Sequence, residues 1–106
     1  MARETPVAGG MLHSPHALEI AFVFDNTEIS SNFTGGGPRA AALAKTLSSA
    51  WIAFASSGVP AAEGLPEWTT YDAERRATLV INDQSTMVDD PTSTRRQAMQ
   101  EFLRLA

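Results

Sequence analysis

Cysteine is absent from the 106-residue sequence, and histidine occurs only twice. The lack of cysteine excludes disulfide bonds, thiolate metal ligands and a cysteine nucleophile, and it gives no indication of the redox compartment. The two histidines and twelve acidic residues show no tight metal-ligand spacing such as His-Glu-x-x-His. The sequence therefore predicts neither a metal site nor a bound cofactor.

Positive charge is also scarce, with eight Lys and Arg against twelve Asp and Glu and a net charge of −4. A nucleic-acid-binding protein needs a basic face, so we expect no nucleic-acid partner. No segment combines a charged start with an apolar core as a secretory signal does, and the most apolar run is too short to span a membrane. We therefore expect a cytoplasmic location and no membrane partner.

Hydrophobic residues make up 43% of the sequence and charged residues 19%. This composition and length are typical of one small globular domain rather than a disordered chain. Helical periodicity predicts a long helix over 38–57 and a final helix over 90–105. Alternating apolar residues over 76–82 and again over 86–88 predict a small β-hairpin. The expected fold class is α+β, and the polar, glycine-rich segment 27–37 is interpreted as a flexible connection.

The most apolar run, residues 14–26, predicts a short buried helix with Ser14 as its cap and Pro15 in its first turn. His16 and Glu19 are its only ionisable residues before Asp25, and their spacing places them on one helix face. A lone histidine beside a helix start is more often structural than catalytic. A carboxylate in an apolar run needs a partner such as an arginine.

The segment from His16 to Phe24 reads His-Ala-Leu-Glu-Ile-Ala-Phe-Val-Phe. It resembles the histidine segment of the type-B carboxylesterases, α/β-hydrolases that include the cholinesterases and the bacterial p-nitrobenzyl esterases. In that family the histidine is the general base of a Ser-Glu/Asp-His triad. The resemblance implies that His16 is the catalytic base and that Glu19 supports it from outside the reacting groups. It gives no role to His13, which we interpret as a loop residue.

The resemblance extends in order along the chain from about Glu4 to Phe102. It includes a Thr-Pro and glycine-rich loop before the histidine, a Trp-x-x-Phe-Ala stretch at 51–55, a Leu-Pro-x-Trp-x-x-Tyr loop at 65–71 and a strand near Thr78. One departure is Ala21, where the family often has proline. The resemblance implies that the two longer helices, the short buried helix and the hairpin are the C-terminal piece of an α/β-hydrolase fold.

Two parts of the triad chemistry are missing from this sequence. The serine of an α/β-hydrolase sits in a Gly-x-Ser-x-Gly elbow upstream of the histidine, and no such elbow occurs here. The three glycines at 35–37 follow His16, so they are not the family's oxyanion tract. We therefore expect residues 1–106 to be the C-terminal fragment of a carboxylesterase-like domain, inactive alone.

The partner of such a fragment is expected to be the missing N-terminal part of the hydrolase, which acts on small ester substrates. Without that part, uncovered apolar faces or an open strand edge predict self-association. The faces in question are formed by residues of the run and of the long helix: Leu18, Ile20, Phe22, Phe24, Leu43, Leu47, Trp51 and Phe54. The alternative is a stand-alone α+β binding or assembly module whose histidine is idle.

Overall fold

The computed structural model describes residues 1–105 and contains four helices and one two-stranded sheet. The elements in chain order are α1 (Leu18–Val23), α2 (Ser31–Thr34), α3 (Gly37–Ser57), β1 (Ala77–Val80), β2 (Thr86–Asp89) and α4 (Ser93–Leu105). A short 3-10 turn, Val7–Gly10, precedes α1. The predicted α+β class, with two longer helices, a short helix and a hairpin, is confirmed.

Helix α3 is the longest element, and local signals define both of its ends. Pro38 lies in its first turn, where a missing N–H costs nothing. Gly58 follows it with φ 78°, a left-handed conformation that glycine adopts without strain, and donates its N–H to the Phe54 carbonyl at 2.8 Å. The predicted helix over 38–57 is thus confirmed to within one residue.

The core lies between α1 and α3. Leu18 and Phe22 of α1 are fully buried and pack with Leu43 and Leu47 of α3, while alanines on the same face of α3 keep the two helices close. Burial of each such side chain stabilises the folded state by about 1.5–3 kcal/mol relative to leaving that side chain in water. The expectation that these four side chains would lack a cover is therefore wrong, because the two helices cover each other.

Helix α1 begins later than the sequence predicts. Ala17 has φ 71°, a left-handed conformation, and no side chain caps the helix start, so Ser14 and Pro15 lie outside the helix. A left-handed residue cannot be part of a right-handed helix, so the helical hydrogen bonds begin only after it. His16 consequently lies in the turn before α1, and only Glu19 lies within it.

The segment 27–37 is not a flexible connection, which corrects that prediction. It contains α2 and the fully buried Thr34, whose hydroxyl donates to the Thr27 carbonyl at 3.0 Å. Gly36 follows with φ 53° and ψ −163°, and a Cβ there would meet the Cβ of Ser31 at 3.1 Å. Buried hydrogen bonds and a glycine-specific turn therefore fix the path from α1 to α3.

The hairpin has the predicted position. β1 and β2 pair antiparallel with Ala77 opposite Asp89 and Val80 opposite Thr86. Along β1, Ala77 and Leu79 are buried, whereas Thr78 is exposed. The alternation seen in the sequence therefore reflects one covered and one open face of this strand.

Helix α4 begins at Ser93 rather than at Asp90, and none of its residues is buried. The Asp90 carboxylate instead accepts hydrogen bonds from Arg96, with Nη2 to Oδ2 at 2.6 Å. These hydrogen bonds lower the pKa of Asp90 and raise the pKa of Arg96. An ion pair, rather than an apolar face, thus fastens α4 to the end of the hairpin.

Candidate active site

His16 lies on the surface, in the turn that precedes α1. Within residues 1–105, no hydrogen bond or ion pair reaches its imidazole. Two residues later, the fully buried Leu18 donates its N–H to the Pro15 carbonyl at 3.3 Å. The turn therefore joins the exposed His16 to the core through Leu18 on its C-terminal side, and neither ring nitrogen is hydrogen-bonded within residues 1–105.

On its N-terminal side, the loop that leads to His16 is closed by Thr5, which is 2% exposed. The Thr5 N–H donates to the His13 carbonyl at 2.8 Å, and its hydroxyl donates to the Phe33 carbonyl at 2.6 Å. The same hydroxyl accepts the N–H of Val7 at 3.2 Å. The glycine-rich loop is thus tied to α2 at its base, only three residues before His16.

Glu19 is half-buried in the first turn of α1. No hydrogen bond or ion pair joins it to His16 or to an arginine among residues 1–105, so the expected partner is not found there. Its partial exposure lets water solvate the charge, and a carboxylate near a helix N-terminus is favoured by the helix dipole. The two predicted site residues lie on either side of the helix start and are not in contact through a hydrogen bond.

His13 lies apart from this arrangement. Its Nδ1 is 3.0 Å from Oε1 of Glu4, and both side chains are mostly exposed. The pair is a surface contact on the loop.

The serines that come nearest in sequence to an elbow are held as helix residues. Ser56 and Ser57 donate their hydroxyls to the carbonyls of Ile52 and Ala53 at 2.8 Å in the last turn of α3. No hydrogen bond joins a serine hydroxyl to either histidine in the part of the chain that the structure describes. The described residues thus supply a histidine but no paired nucleophile.

Arg3 is a residue that the sequence did not identify. Its Nε donates to the Thr34 carbonyl at 3.4 Å, it forms an ion pair with Asp83, and its guanidinium lies 5.5 Å from the ring centroid of Phe22. It therefore connects the first residues, α1, α2 and the hairpin turn around the base of the histidine segment. No local pattern marks such a residue, because its partners are distant in the sequence.

Two of the surface cavities among the described residues lie along α3. One of about 490 Å³ separates α3 from the hairpin turn and includes Arg39, Leu43 and Asp83 in its lining. The other, of about 300 Å³, is apolar and is lined by Ala50, Trp51, Phe54, Pro60 and Trp68. Neither includes His16, so neither forms a substrate pocket around the predicted base.

The described residues contain no group of three or more His, Cys, Asp and Glu side chains that could hold a metal ion. Within residues 1–105, no helix is both long and apolar enough to cross a membrane.

Comparison with known proteins gives a consistent result. Residues 3–100 match the carboxylesterase family. The chain is 36% identical over 86 residues to the para-nitrobenzyl esterase of Bacillus subtilis (strain 168), a match that covers 79% of this chain and 17% of that protein. It is 34% identical over 88 residues to the phenmedipham hydrolase of Pseudarthrobacter oxydans, covering 79% of this chain and 18% of that enzyme.

Comparison with solved structures also finds carboxylesterases. The crystal structure of a Geobacillus stearothermophilus carboxylesterase at pH 6.2 matches with a TM-score of 0.71 and 41% identity, covering 90% of this chain and 20% of that one. A PNB esterase structure matches with a TM-score of 0.70 and 36% identity, covering 77% of this chain and 17% of that one. These relatives are esterases with the α/β-hydrolase fold, so the predicted fold is confirmed.

The chain spans less than a fifth of the length of its curated relatives, with 17% of the para-nitrobenzyl esterase and 18% of the phenmedipham hydrolase covered. Most of its own length lies within the match to the family, at residues 3–100. The chain therefore belongs to the carboxylesterase family.

Proposed function

We propose that this chain is the C-terminal part of a serine carboxylesterase and that it supplies the triad histidine, His16. The observation that carries the proposal is the position of His16 in a carboxylesterase-family chain. It lies in an exposed turn, and the turn is anchored by buried Leu18 on one side and by the Thr5 loop on the other. A general base needs this combination of a fixed position and ring nitrogens free to exchange a proton.

In the complete enzyme, a serine hydroxyl attacks the ester carbonyl while the His16 imidazole accepts its proton. The protonated imidazole then returns the proton to the leaving alcohol oxygen as the acyl-enzyme forms, and water repeats the cycle to release the acid. The serine, the triad carboxylate and the oxyanion donors come from the rest of the hydrolase, because this sequence contains no Gly-x-Ser-x-Gly elbow.

Glu19 has a supporting role in this proposal. Glu19 follows His16 by three residues in sequence, and its carboxylate lies in the first turn of α1, at the positive end of the helix dipole. A nearby negative charge favours the imidazolium that forms during proton transfer. We therefore assign Glu19 to the stabilisation of His16 rather than to contact with the substrate.

The partner of the chain in this proposal is the remainder of the hydrolase domain, and its substrate there is a small carboxylic ester. A chimera tests the assignment of His16. The matched 86-residue segment of the Bacillus subtilis para-nitrobenzyl esterase is replaced by this chain, and hydrolysis of p-nitrophenyl esters is measured. Removal of a triad base costs about 10⁴-fold or more in kcat, so His16→Ala is expected to abolish nearly all turnover.

His13→Ala is the matched control, since it removes a neighbouring exposed imidazole that contacts only Glu4. It is expected to leave turnover largely intact. Equal and mild losses in the two variants would overturn the assignment of His16 and would favour a binding or assembly module.

A further inference from the structure

The backbone before α1 contains left-handed residues that are not glycine. Within residues 8–17, Ala8 has φ 53°, His13 has φ 50° and Ala17 has φ 71°. Histidine is more common than alanine in this region, because the Cβ of a left-handed residue comes close to the following carbonyl oxygen and alanine has no polar side chain to compensate. Ala17 lies directly between His16 and the first residue of α1, so a strained position adjoins the proposed base.

Ala17 belongs to a β-turn that has His16 at its corner. The Leu18 N–H donates to the Pro15 carbonyl at 3.3 Å, which closes the turn over residues 15–18. Ala17 has φ 71° and ψ 3°, close to the angles of the third residue of a type II turn, where glycine or asparagine is usual. His16 is the second residue of this turn, and α1 begins only after the turn.

An unstrained turn could join the same two ends. A type I turn forms the same hydrogen bond with negative φ at both central residues, and most residue types are compatible with it. The two turns differ by a rotation of about 150° in ψ of the second residue, which is His16 here. In a type I turn His16 and Ala17 would both be helical, and α1 would begin at His16. The left-handed Ala17 therefore keeps His16 out of the helix.

This difference in backbone affects the imidazole. The χ1 rotamers open to a side chain depend on its backbone φ and ψ, and a helical residue largely loses χ1 near +60° and points its side chain back along the helix. A general base must lie within hydrogen-bond reach of the proton it accepts. The turn conformation at residues 16 and 17 therefore bears directly on proton transfer.

Both sides of the turn are held by contacts that resist a change of backbone conformation. On one side, Leu18 is fully buried. On the other side, the Thr5 N–H donates to the His13 carbonyl at 2.8 Å and closes the preceding loop. A strained residue persists only where the surrounding structure determines its conformation, and such residues cluster at functional sites. Ala17 is strained, fixed by its neighbours and adjacent to the proposed base.

We propose that Ala17 is a positioning residue for His16. Its left-handed conformation holds His16 at the corner of a type II turn and so sets the direction of the imidazole toward the serine of the complete enzyme. The proposal rests on the proposed function for the role of His16 as the base, while the turn itself rests on the backbone angles and the hydrogen bond. Ala17 acts through His16 and makes no contact with the substrate in this role.

Substitutions of similar size test this role in the chimera of this chain with the para-nitrobenzyl esterase. Ala17→Asn and Ala17→Val both enlarge the side chain, but asparagine tolerates the left-handed conformation and β-branched valine does not. Ala17→Val is expected to lower kcat for p-nitrophenyl esters by about 10²-fold, since a displacement of roughly 1 Å at a reacting group has that effect. KM is expected to change by less than about threefold, because ester binding is not altered. Ala17→Asn and Ala17→Gly are expected to retain kcat.

Ala8→Val separates positioning from stability. Ala8 is also left-handed, with φ 53° and ψ 38°, but it is exposed and lies eight residues before His16. Both valine variants are expected to lower the urea midpoint of unfolding, whereas only Ala17→Val is expected to lower kcat. Equal kcat in the two valine variants would overturn the proposal, because stability alone would explain the result. Equal losses of kcat in Ala17→Val and Ala17→Asn would overturn it too, because side-chain size would then be the cause.

NMR of the isolated chain checks the turn without a measurement of activity. In a type II turn the Hα of His16 lies close to the N–H of Ala17, whereas in a helix the N–H protons of the two residues lie close to each other. A strong nuclear Overhauser effect from this Hα to this N–H is expected in the parent and in Ala17→Gly. In Ala17→Val an effect between the two N–H protons is expected to replace it. The same turn in the parent and in Ala17→Val would overturn the proposal.

The two proposals fail in different ways. A parent chimera without activity, or a mild effect of His16→Ala, refutes the proposed function, and the positioning role is refuted with it. A large loss in His16→Ala together with an unchanged kcat in Ala17→Val refutes the positioning role alone. A rise in KM at unchanged kcat also refutes it, since Ala17 would then act on substrate binding.

A second variant covers a chimera that does not fold with valine at this position. Ala17→Gln then replaces Ala17→Val, because glutamine has the amide group of asparagine without its tolerance of a left-handed backbone. Ala17→Gln is expected to lower kcat relative to Ala17→Asn. Equal kcat in these two amide variants would refute the positioning role.

Discussion

At the scale of single residues, hydrogen bonds of threonine hydroxyls connect the histidine segment to the rest of the chain. The buried polar side chains among the described residues are Thr5, Thr27 and Thr34. Thr34 donates to the Thr27 carbonyl and accepts the N–H of Gly36 at 3.2 Å, while Thr5 donates to the Phe33 carbonyl. The Thr5 bond connects the loop before His16 with α2, and the Thr34 bonds fix the chain on both sides of α2, so the position of His16 depends on residues far from it in sequence.

Removal of the Thr34 hydroxyl is expected to destabilise the fold measurably. Thr34→Val keeps the shape of the side chain but leaves the buried Thr27 carbonyl and the partly buried Gly36 N–H without a partner, which costs about 1–3 kcal/mol. Urea unfolding followed by circular dichroism measures the change. Thr94→Val, on an exposed position of α4, is the control and is expected to stay within about 0.5 kcal/mol of the parent. Equal stability of the two variants would contradict this role for Thr34.

The Asp90–Arg96 pair predicts an acid-sensitive attachment of α4. The Arg96 hydrogen bonds lower the pKa of Asp90 below its ordinary value of 3.8. A carboxyl group with a depressed folded pKa stabilises the fold above its unfolded pKa and loses that contribution as the pH falls through the folded value. Asp90→Asn is therefore expected to be less stable than the parent at pH 7, and the difference should shrink below about pH 4.

Unfolding midpoints of the parent and Asp90→Asn at pH 7 and at pH 3 measure this difference. Asp72→Asn is a control, because the Asp72 carboxylate accepts the backbone N–H groups of Glu74 and Arg75, and no arginine side chain among the described residues donates to it. A gap between the parent and Asp90→Asn that stays constant from pH 7 to pH 3 would contradict the prediction.

Residues differed in how well the sequence identified them. His16 was predicted from a local motif, and the structure places it in an anchored surface turn. Arg3 was not predicted, because its contacts with Thr34 and Asp83 span 31 and 80 residues. Contacts at such separations depend on the assembled fold, and no pattern within a short window of sequence encodes them.

Among the elements, α1 and α3 form the core that positions His16. Leu47 is fully buried between them. Leu47→Ala is expected to cost about 2–5 kcal/mol, because it removes buried methyl groups and leaves a cavity that close packing cannot fill. Ile52→Ala on the exposed side of α3 is the control, since Ile52 is 64% exposed and its truncation creates no cavity. Chemical denaturation measures the free energy of unfolding of both variants. Similar losses of stability in the two would show that the α1–α3 contact is not the core.

The ends of the helices show which local sequence signals are sufficient to predict where a helix begins or ends. Pro38 and Gly58 act through their own backbone preferences, so both ends of α3 were predicted. The start of α1 was predicted wrongly, because the left-handed Ala17 is compensated by the burial of Leu18 rather than by a capping side chain. The order of segment 27–37 was missed because no residue type marks the hydrogen bonds that Thr34 makes to Thr27 within the segment or that Thr5 makes to Phe33 from outside it.

At the scale of the whole molecule, the chain is extended for its length. Its radius of gyration is 15.6 Å and its dimensions are 46 × 38 × 20 Å. A compact domain of this length has a radius of gyration of about 13 Å. Helix α4 has no buried residue and exposes Met99, Phe102 and Leu103 to solvent. Such a shape is typical of part of a larger domain, and it gives two predictions about the isolated chain.

The isolated chain is expected to hydrolyse p-nitrophenyl esters no faster than a buffer that contains free imidazole. It contributes a base without a serine elbow or oxyanion donors, and loss of triad members costs several orders of magnitude even where the rest of a site survives. Initial rates at equal imidazole concentration measure this. Turnover that a serine-directed organophosphate abolishes, with a titre near one site per chain, would contradict it.

The isolated chain is also expected to self-associate through its uncovered apolar faces. Ile20 and Phe24 of the histidine segment and Trp51 and Phe54 of α3 remain exposed, even though α1 and α3 cover each other's inner faces. Exposed apolar area costs about 25 cal/mol per Å², and small monomeric proteins rarely leave so much of it in contiguous patches. A two-fold dimer covers the same face on both copies.

The open edge of β1 is a poorer contact for that dimer. Ala2 already occupies one end of this edge, because its N–H donates to the Ile81 carbonyl at 2.7 Å, and this shortens the stretch that a second copy could pair with. Sedimentation at low micromolar concentration is therefore expected to show a dimer, and Phe54→Glu is expected to weaken it more than Ser49→Glu, an exposed polar position on the same helix. A well-folded monomer that binds no dye for apolar surface would instead show an independent module, and it would favour a binding or assembly role over the carboxylesterase fragment.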